Sequence, residues 1–176
     1  MHVQTHILSG WCIACSLPTS PRQRLCAMIA AAASDVDGLG ILFGENAYWN
    51  WHHTFGHSLL FALIAGSVLA AFTPPRLASF LLYVAMVHLH LLLDFFGSGC
   101  DWPIPYLWPT HALRLINPYS WNLYSWQNLS FFAGFLIWTI WIALRQGRTP
   151  LEVLMPGLDQ KIVRALRKWA RSAVPA

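Results

Sequence analysis

Leu77–Phe96 is a run of twenty residues with one acidic side chain and no Lys or Arg. As a helix rising about 1.5 Å per residue it covers roughly 30 Å, the thickness of a bilayer's hydrocarbon core. Lipid leaves such a run few alternatives, because every backbone N–H and C=O must then be satisfied within the segment. Ser58–Phe72, closed by Thr73-Pro74-Pro75, and Leu129–Leu144, ended by Arg145, repeat the pattern. Ile7–Leu17 and Leu25–Ala33 are apolar but brief, and read as short, packed or re-entrant helices. Composition agrees. Hydrophobic residues make up 56% of the 176 and charged residues only 10%, against about 25% charged in soluble domains.

The expected fold is an all-α integral membrane protein of about five membrane-embedded helices plus an amphipathic C-terminal helix. Residues 1–150 read as the embedded domain and 151–176 as a linker and a basic helix. The start, MHVQTHILSG, shows no basic n-region and no cleavage site, so no secretory signal is expected. No internal repeat is visible.

Net charge is +4, and five of the eleven basic residues fall in Lys161–Arg171. On a helix over Leu158–Ser172 they make one face, while Ile162, Val163, Leu166, Trp169 and Ala173 make the other. In so apolar a chain this pattern points to a helix lying on the membrane surface, not to nucleic-acid binding. Arg22, Arg24, Arg76, Arg145, Arg148 and the basic tail all fall on one side if five passes alternate, with the N-terminus outside and the C-terminus in the cytoplasm. Arg114 is the exception. Trp49, Trp51, Trp102, Trp108, Trp121 and Trp126 then share the outer side, as an interfacial aromatic belt does. Cys12-Ile-Ala-Cys15 is not followed by His, so it is no c-type haem site, and the cysteines read as structural.

Against this background the polar residues stand out. Three histidines, His52, His53 and His57, lie within six residues at the threshold of an apolar run. Asp35 and Asp37 interrupt "AAAASDVDGLG", and Asp94 lies near the end of the longest run. Ionisable groups inside a membrane are costly and mark functional sites. His90 and Asp94 are four residues apart, as are His53 and His57, so each pair shares a helix face. Two such pairs on facing helices suit a divalent cation, with carboxylates neutralising its charge and imidazoles donating nitrogen. The five-pass topology places His6, Asp35, Asp37, His57, His90 and Asp94 on the same membrane side. His88 points elsewhere on its helix and reads as a neighbour of the site or a packing residue. His2 and His111 read as surface residues.

Four stretches in order, "THILSG" (5–10), "SDVDG" (34–38), "HHTFGHSLL" (52–60) and "HLLLDFFGSGCDWPIPYLWP" (90–109), resemble the YdjM family of membrane proteins described as metal-dependent hydrolases. That family's pattern is an early T-H, P-D-x-D, H-R-G-x-T-H-S, and H-x-x-x-D before a Gly- and Pro-containing loop. Here Ser34 replaces Pro, His53 replaces Arg, Thr54 replaces Gly and Gly56 replaces Thr. His52 and His57 carry the family's two histidines and His53 is extra, whereas helical spacing pairs His53 with His57.

The family in turn resembles the zinc-dependent phospholipase C superfamily, all-helical hydrolases of phosphate esters. That resemblance implies a zinc cluster of two or three ions on His6, Asp35 or Asp37, His57, His90 and Asp94. The mechanism expected from this has Asp35 or Asp37 orienting or deprotonating the attacking water, and His52 or His53 protonating the leaving group. The implied setting is a bacterial-type inner membrane, with the site at the outer membrane–water boundary and an amphiphilic or phosphoester substrate such as a phospholipid. The alternatives are a non-enzymatic membrane protein that binds or transports metal, and a haem protein using His57 with His88 or His90. Carboxylates argue against haem iron, and ligands near helix ends argue against a transporter, whose sites lie at the bilayer midplane.

Overall fold

The computed structural model describes residues 1–172, so the expected apolar position Ala173 lies outside the described residues. Seven α-helices follow in order: α1 (Val3–Cys15), α2 (Pro21–Ala32), α3 (Glu45–Trp51), α4 (Leu59–Ala71), α5 (Arg76–Gly97), α6 (Trp126–Gln146) and α7 (Pro156–Ser172). A 3₁₀ segment, Ala33–Phe43, continues α2, and a 3₁₀ turn, Phe55–His57, precedes α4. No strand forms among the described residues, and a single isolated bridge joins Ile104 to Leu115.

Among the described residues three helical runs are long and apolar enough to cross a membrane: Pro21–Phe43, Arg76–Gly97 and Trp126–Gln146. A fourth exists if Glu45–His57 and Leu59–Ala71, bent by 67° at their junction, count as one span. The expected five passes are therefore matched by three to four. With 13 residues, α1 is short of the roughly 20 that a span needs. The second brief stretch, by contrast, is longer than its apolar core, because the chain stays helical through Asp35 and Asp37.

Local chemistry explains where these elements start. Ser20 and Gln23 form a reciprocal capping box before α2, and Pro21 occupies the first turn, where its missing N–H costs nothing. Ser58 accepts from the Phe61 N–H at 3.1 Å and fixes where α4 begins. Gly147, at φ +71°, supplies the left-handed residue that ends α6.

Helix α1 packs closely on α2 through Gly10. A Cβ there would lie 2.6 Å from the Ala27 carbonyl oxygen and 2.7 Å from Ala31 Cβ. Small residues allow such backbone approach in membrane bundles. His6, one helical turn before Gly10, is carried inward by the same contact and is fully buried.

The loop 98–125 is fastened to the end of α5. The last carbonyls of a helix lack intrahelical partners, and here the loop and the first turn of α6 satisfy them. Asn117 Nδ2 donates to the Phe95 carbonyl at 3.0 Å, the Trp121 N–H to Phe96 at 2.9 Å, and Asn128 Nδ2 to Gly97 at 2.8 Å. The helix that carries His90 and Asp94 is thus held at its C-terminal end.

At the opposite end of α2, Arg24 and Glu152 form a bidentate pair, with Nε to Oε1 at 2.6 Å and Nη2 to Oε2 at 2.7 Å. Trp11 Nε1 also donates to Glu152 Oε1, at 3.2 Å. Asp159 accepts from the Thr149 N–H and hydroxyl, both at 2.6 Å, which folds the linker onto the start of α7. On α7 Val163 is buried and Trp169 exposed, while Lys161, Arg164, Arg167, Lys168 and Arg171 are all exposed.

A candidate metal centre

Asp35, His57, His90 and Asp94 converge at one end of the bundle, with His6, His53 and, further out, Asp37 and His52 around them. Helix α5 presents His90 and Asp94 on one face, both buried, with His90 Nε2 3.0 Å from Asp94 Oδ2. The 3₁₀ segment turns every three residues, and Ser34, Asp37 and Gly40 are its buried positions. Asp35 falls on the adjacent face, partly exposed, with Oδ1 3.7 Å from His90 Nε2.

The 52–57 stretch departs from the helical expectation. Helix α3 ends at Trp51, His52 is extended, and His53 is left-handed at φ +56°. His53 and His57 therefore do not share a helix face, although their rings stack with centroids 4.0 Å apart. A non-glycine residue in the left-handed region is strained, and such residues gather at functional sites. Gly56 permits this tight path: a Cβ there would strike the Ser34 carbonyl oxygen and come within 3.0 Å of Asp37 Oδ2.

Hydrogen bonds set the histidine tautomers. The His90 Nδ1–H donates to the Ala31 carbonyl at 2.7 Å, and the His57 Nδ1–H donates to Asp37 Oδ2 at 3.0 Å. In the neutral rings both Nε2 atoms then offer lone pairs. They face each other at 3.3 Å and face Asp94 Oδ2 at 3.3 and 3.0 Å. Acceptors brought this close repel unless a proton or a metal cation lies among them. The ligand atoms of Asp35, His57, His90 and Asp94 all lie within 4.8 Å of one another. Tetrahedral zinc with bonds of about 2.0–2.2 Å sets neighbouring ligand atoms roughly 3.4 Å apart, so the donors fit a divalent ion.

Unsatisfied groups point the same way. Asp35 Oδ2, both ring nitrogens of His6 and His53 Nδ1 are buried without a hydrogen-bond partner, which native structures seldom tolerate. His6 Nε2 is 3.2 Å from Asp94 Oδ1 without hydrogen-bond alignment, and the His6 ring stacks on His90 at 3.8 Å. The Met1 amino group also lies against Asp94 Oδ1 and donates to Ser98 Oγ at 3.0 Å.

Asp37 is outside the converging set. Its oxygens accept from His52 Nδ1 at 2.9 Å, His57 Nδ1 at 3.0 Å and the Thr54 N–H at 3.0 Å. It acts as the orienting partner that ligating histidines commonly have. Both contested histidines reach the site: His52 through Asp37, and His53 with Nε2 3.6 Å from Asp94 Oδ2. His88 is elsewhere. It donates to the Val84 carbonyl at 2.8 Å, and its Nε2 lies 2.9 Å from the Tyr106 hydroxyl. Of the histidines named for a haem, His57 and His90 have their Nε2 atoms 3.3 Å apart with Asp94 between them, and both ring nitrogens of His88 are engaged elsewhere.

A cavity of about 380 Å³ opens onto Asp35, Asp94, His52 and His53, walled by Tyr48 and Trp102. Trp102 stands edge-on to His52 at 5.0 Å, and Tyr48 stacks on His52 at 4.9 Å. Spacing gave no sign of these two walls. Their only sequence signal is that both sit in the aromatic-rich stretches beside the histidines and in the loop after α5.

A family model described as YdjM inner membrane protein matches residues 1–158. No curated protein and no solved structure matches the chain.

Proposed function

The chain belongs to the YdjM inner membrane protein family, and from that premise we propose that it is a membrane-bound, metal-dependent hydrolase of a phosphoester such as a phospholipid. The observation that carries the reading is the convergence of Asp35, His57, His90 and Asp94 beside an open cavity. Structural metal sites are closed, whereas catalytic ones keep access for water and substrate. The imidazole and carboxylate donors suit Zn²⁺, with His6 as a nitrogen donor for a further ion. Bound there, the metal supplies Lewis acidity and positive charge at the reacting centre.

The chain's own groups do the rest. Asp35 Oδ2, unpartnered and beside the cavity, orients the attacking water and takes its proton. As the new O–P bond forms, the ester P–O bond breaks. The leaving oxygen receives a proton from His53 Nδ1 or from His52. Asp37 keeps His52 and His57 aligned.

Purified protein should carry at least one equivalent of zinc by elemental analysis. Removing it with a chelator should abolish cleavage of bis(p-nitrophenyl) phosphate, and re-adding zinc should restore it. Cleavage that survives complete stripping would sink the hydrolase reading.

The site belongs at the outer face of the inner membrane and α7 in the cytoplasm. Arg145, Arg148 and the exposed cations of α7 support that orientation. Reporters fused after Arg148 and within 97–126 should give opposite answers. Equal answers would refute this orientation.

A further inference from the structure

The cavity at the metal centre does not end at its polar wall. His2 and Gln4, on its rim, also line a second hollow of about 390 Å³. The rest of that hollow is Tyr124, Ser125, Leu129 and Phe132. It carries no Asp, Glu, Lys or Arg. One end of the combined groove is thus imidazole and carboxylate, and the other is aromatic and aliphatic. The apolar end lies on the first two turns of α6, one of the helices able to cross the membrane. From Ser125 to Phe132 a helix rises roughly 10 Å, so the hollow descends from the interface into one leaflet. Leu129 is 66% exposed, so nothing in the protein covers this lane.

Resting on the hydrolase reading above, we infer that the groove between the start of α1 and the start of α6 binds an acyl chain of a membrane phospholipid whose phosphate occupies the His/Asp cavity. The occupant follows from the groove's two halves. A soluble phosphoester would leave the apolar lane empty, and a free fatty chain would leave the polar cavity unmatched. A lipid lying in the leaflet fills both and enters sideways, with no need to leave the bilayer.

The test uses the full-length protein in nanodiscs containing phosphatidylglycerol with a diazirine in one acyl chain. After illumination, mass spectrometry should find lipid adducts concentrated on peptides holding His2–Gln4 and Tyr124–Phe132. Leu129→Trp, at an exposed position, fills the lane and should cut those adducts several-fold with bound zinc unchanged. Leu136→Trp, exposed on the same helix but outside the hollow, should leave them unaltered. Adducts spread evenly over α4, α5 and α6 would show ordinary annular lipid and overturn the proposal. So would chain-to-chain crosslinks at α6, which would mark a second copy as the occupant. Groove adducts in a protein that binds no metal would sink the hydrolase reading while upholding the groove.

Discussion

Asp94→Asn is expected to lower bound metal and hydrolytic turnover together, each by at least about tenfold, since even an outer partner of a metal ligand commonly costs 10–100-fold. Asp94 Oδ2 is the atom on which His57 and His90 converge, and Oδ1 faces His6. Asparagine keeps the size and one oxygen but removes the charge. Its amide can donate to a histidine lone pair, so the packing around it survives. That separates two roles. If His90 and Asp94 only staple helices, the amide serves nearly as well, and thermal stability is the sole readout to move. If they hold an ion, metal content falls while the fold persists. A variant with full zinc and full turnover would remove Asp94 from the ligand set.

The second large effect is expected away from the site. Glu152→Ala leaves Arg24 buried beside α1 with no carboxylate, since the Arg24 side chain is only 4% exposed. Breaking a buried pair by removing one partner costs about 3–5 kcal/mol, most of it the uncompensated charge. For a chain of this size that corresponds to a melting point lower by roughly 6–20 °C. The double change Arg24→Met with Glu152→Leu should recover most of the loss, because neither charge then remains buried. Zinc content below the melting transition should not change, since Arg24 lies at the start of α2 and Ala31, which holds His90, near its end. An unaltered melting point in Glu152→Ala would show the pair to be solvated.

These two sites differ in how far they could be read from sequence. His90 and Asp94 sit inside a long regular helix, where a four-residue spacing does place side chains on one face. His53 and His57 have the same spacing and do meet, but through a left-handed turn and a stacked pair of rings that no periodicity encodes. Asp35 and Asp37 were indistinguishable on paper. Their division into candidate ligand and orienting partner depends on the three-residue turn of a 3₁₀ segment, which the sequence does not announce. Of the about five embedded helices expected, three to four are long and apolar enough to span, since α1 has only 13 residues and carries Gln4, Thr5 and His6. Arg24 and Glu152, 128 residues apart, leave no local pattern at all. Their pairing is a product of the tertiary fold, as are Tyr48 and Trp102 as walls of the cavity.

The arrangement of Asp35 and Asp37 also bears on how the protein is made. They belong to the first run long enough to span, Pro21–Phe43, and an aspartate in a span disfavours insertion by up to about 2.5–3.5 kcal/mol, the value at the helix centre. The imidazoles that relieve them arrive later: His52 and His57 just before α4, and His90 only with α5. Synthesis at about 5–20 residues per second puts the end of α5 roughly 3–10 s behind the end of that first span. During that interval Asp37 lacks its imidazoles until the 52–57 stretch emerges, and Asp35 lacks His90 until α5 is made. The later helices therefore serve as partners in biogenesis before they serve as walls of a site. A nascent chain halted ahead of α5 should slip back out of the bilayer, where a completed one stays.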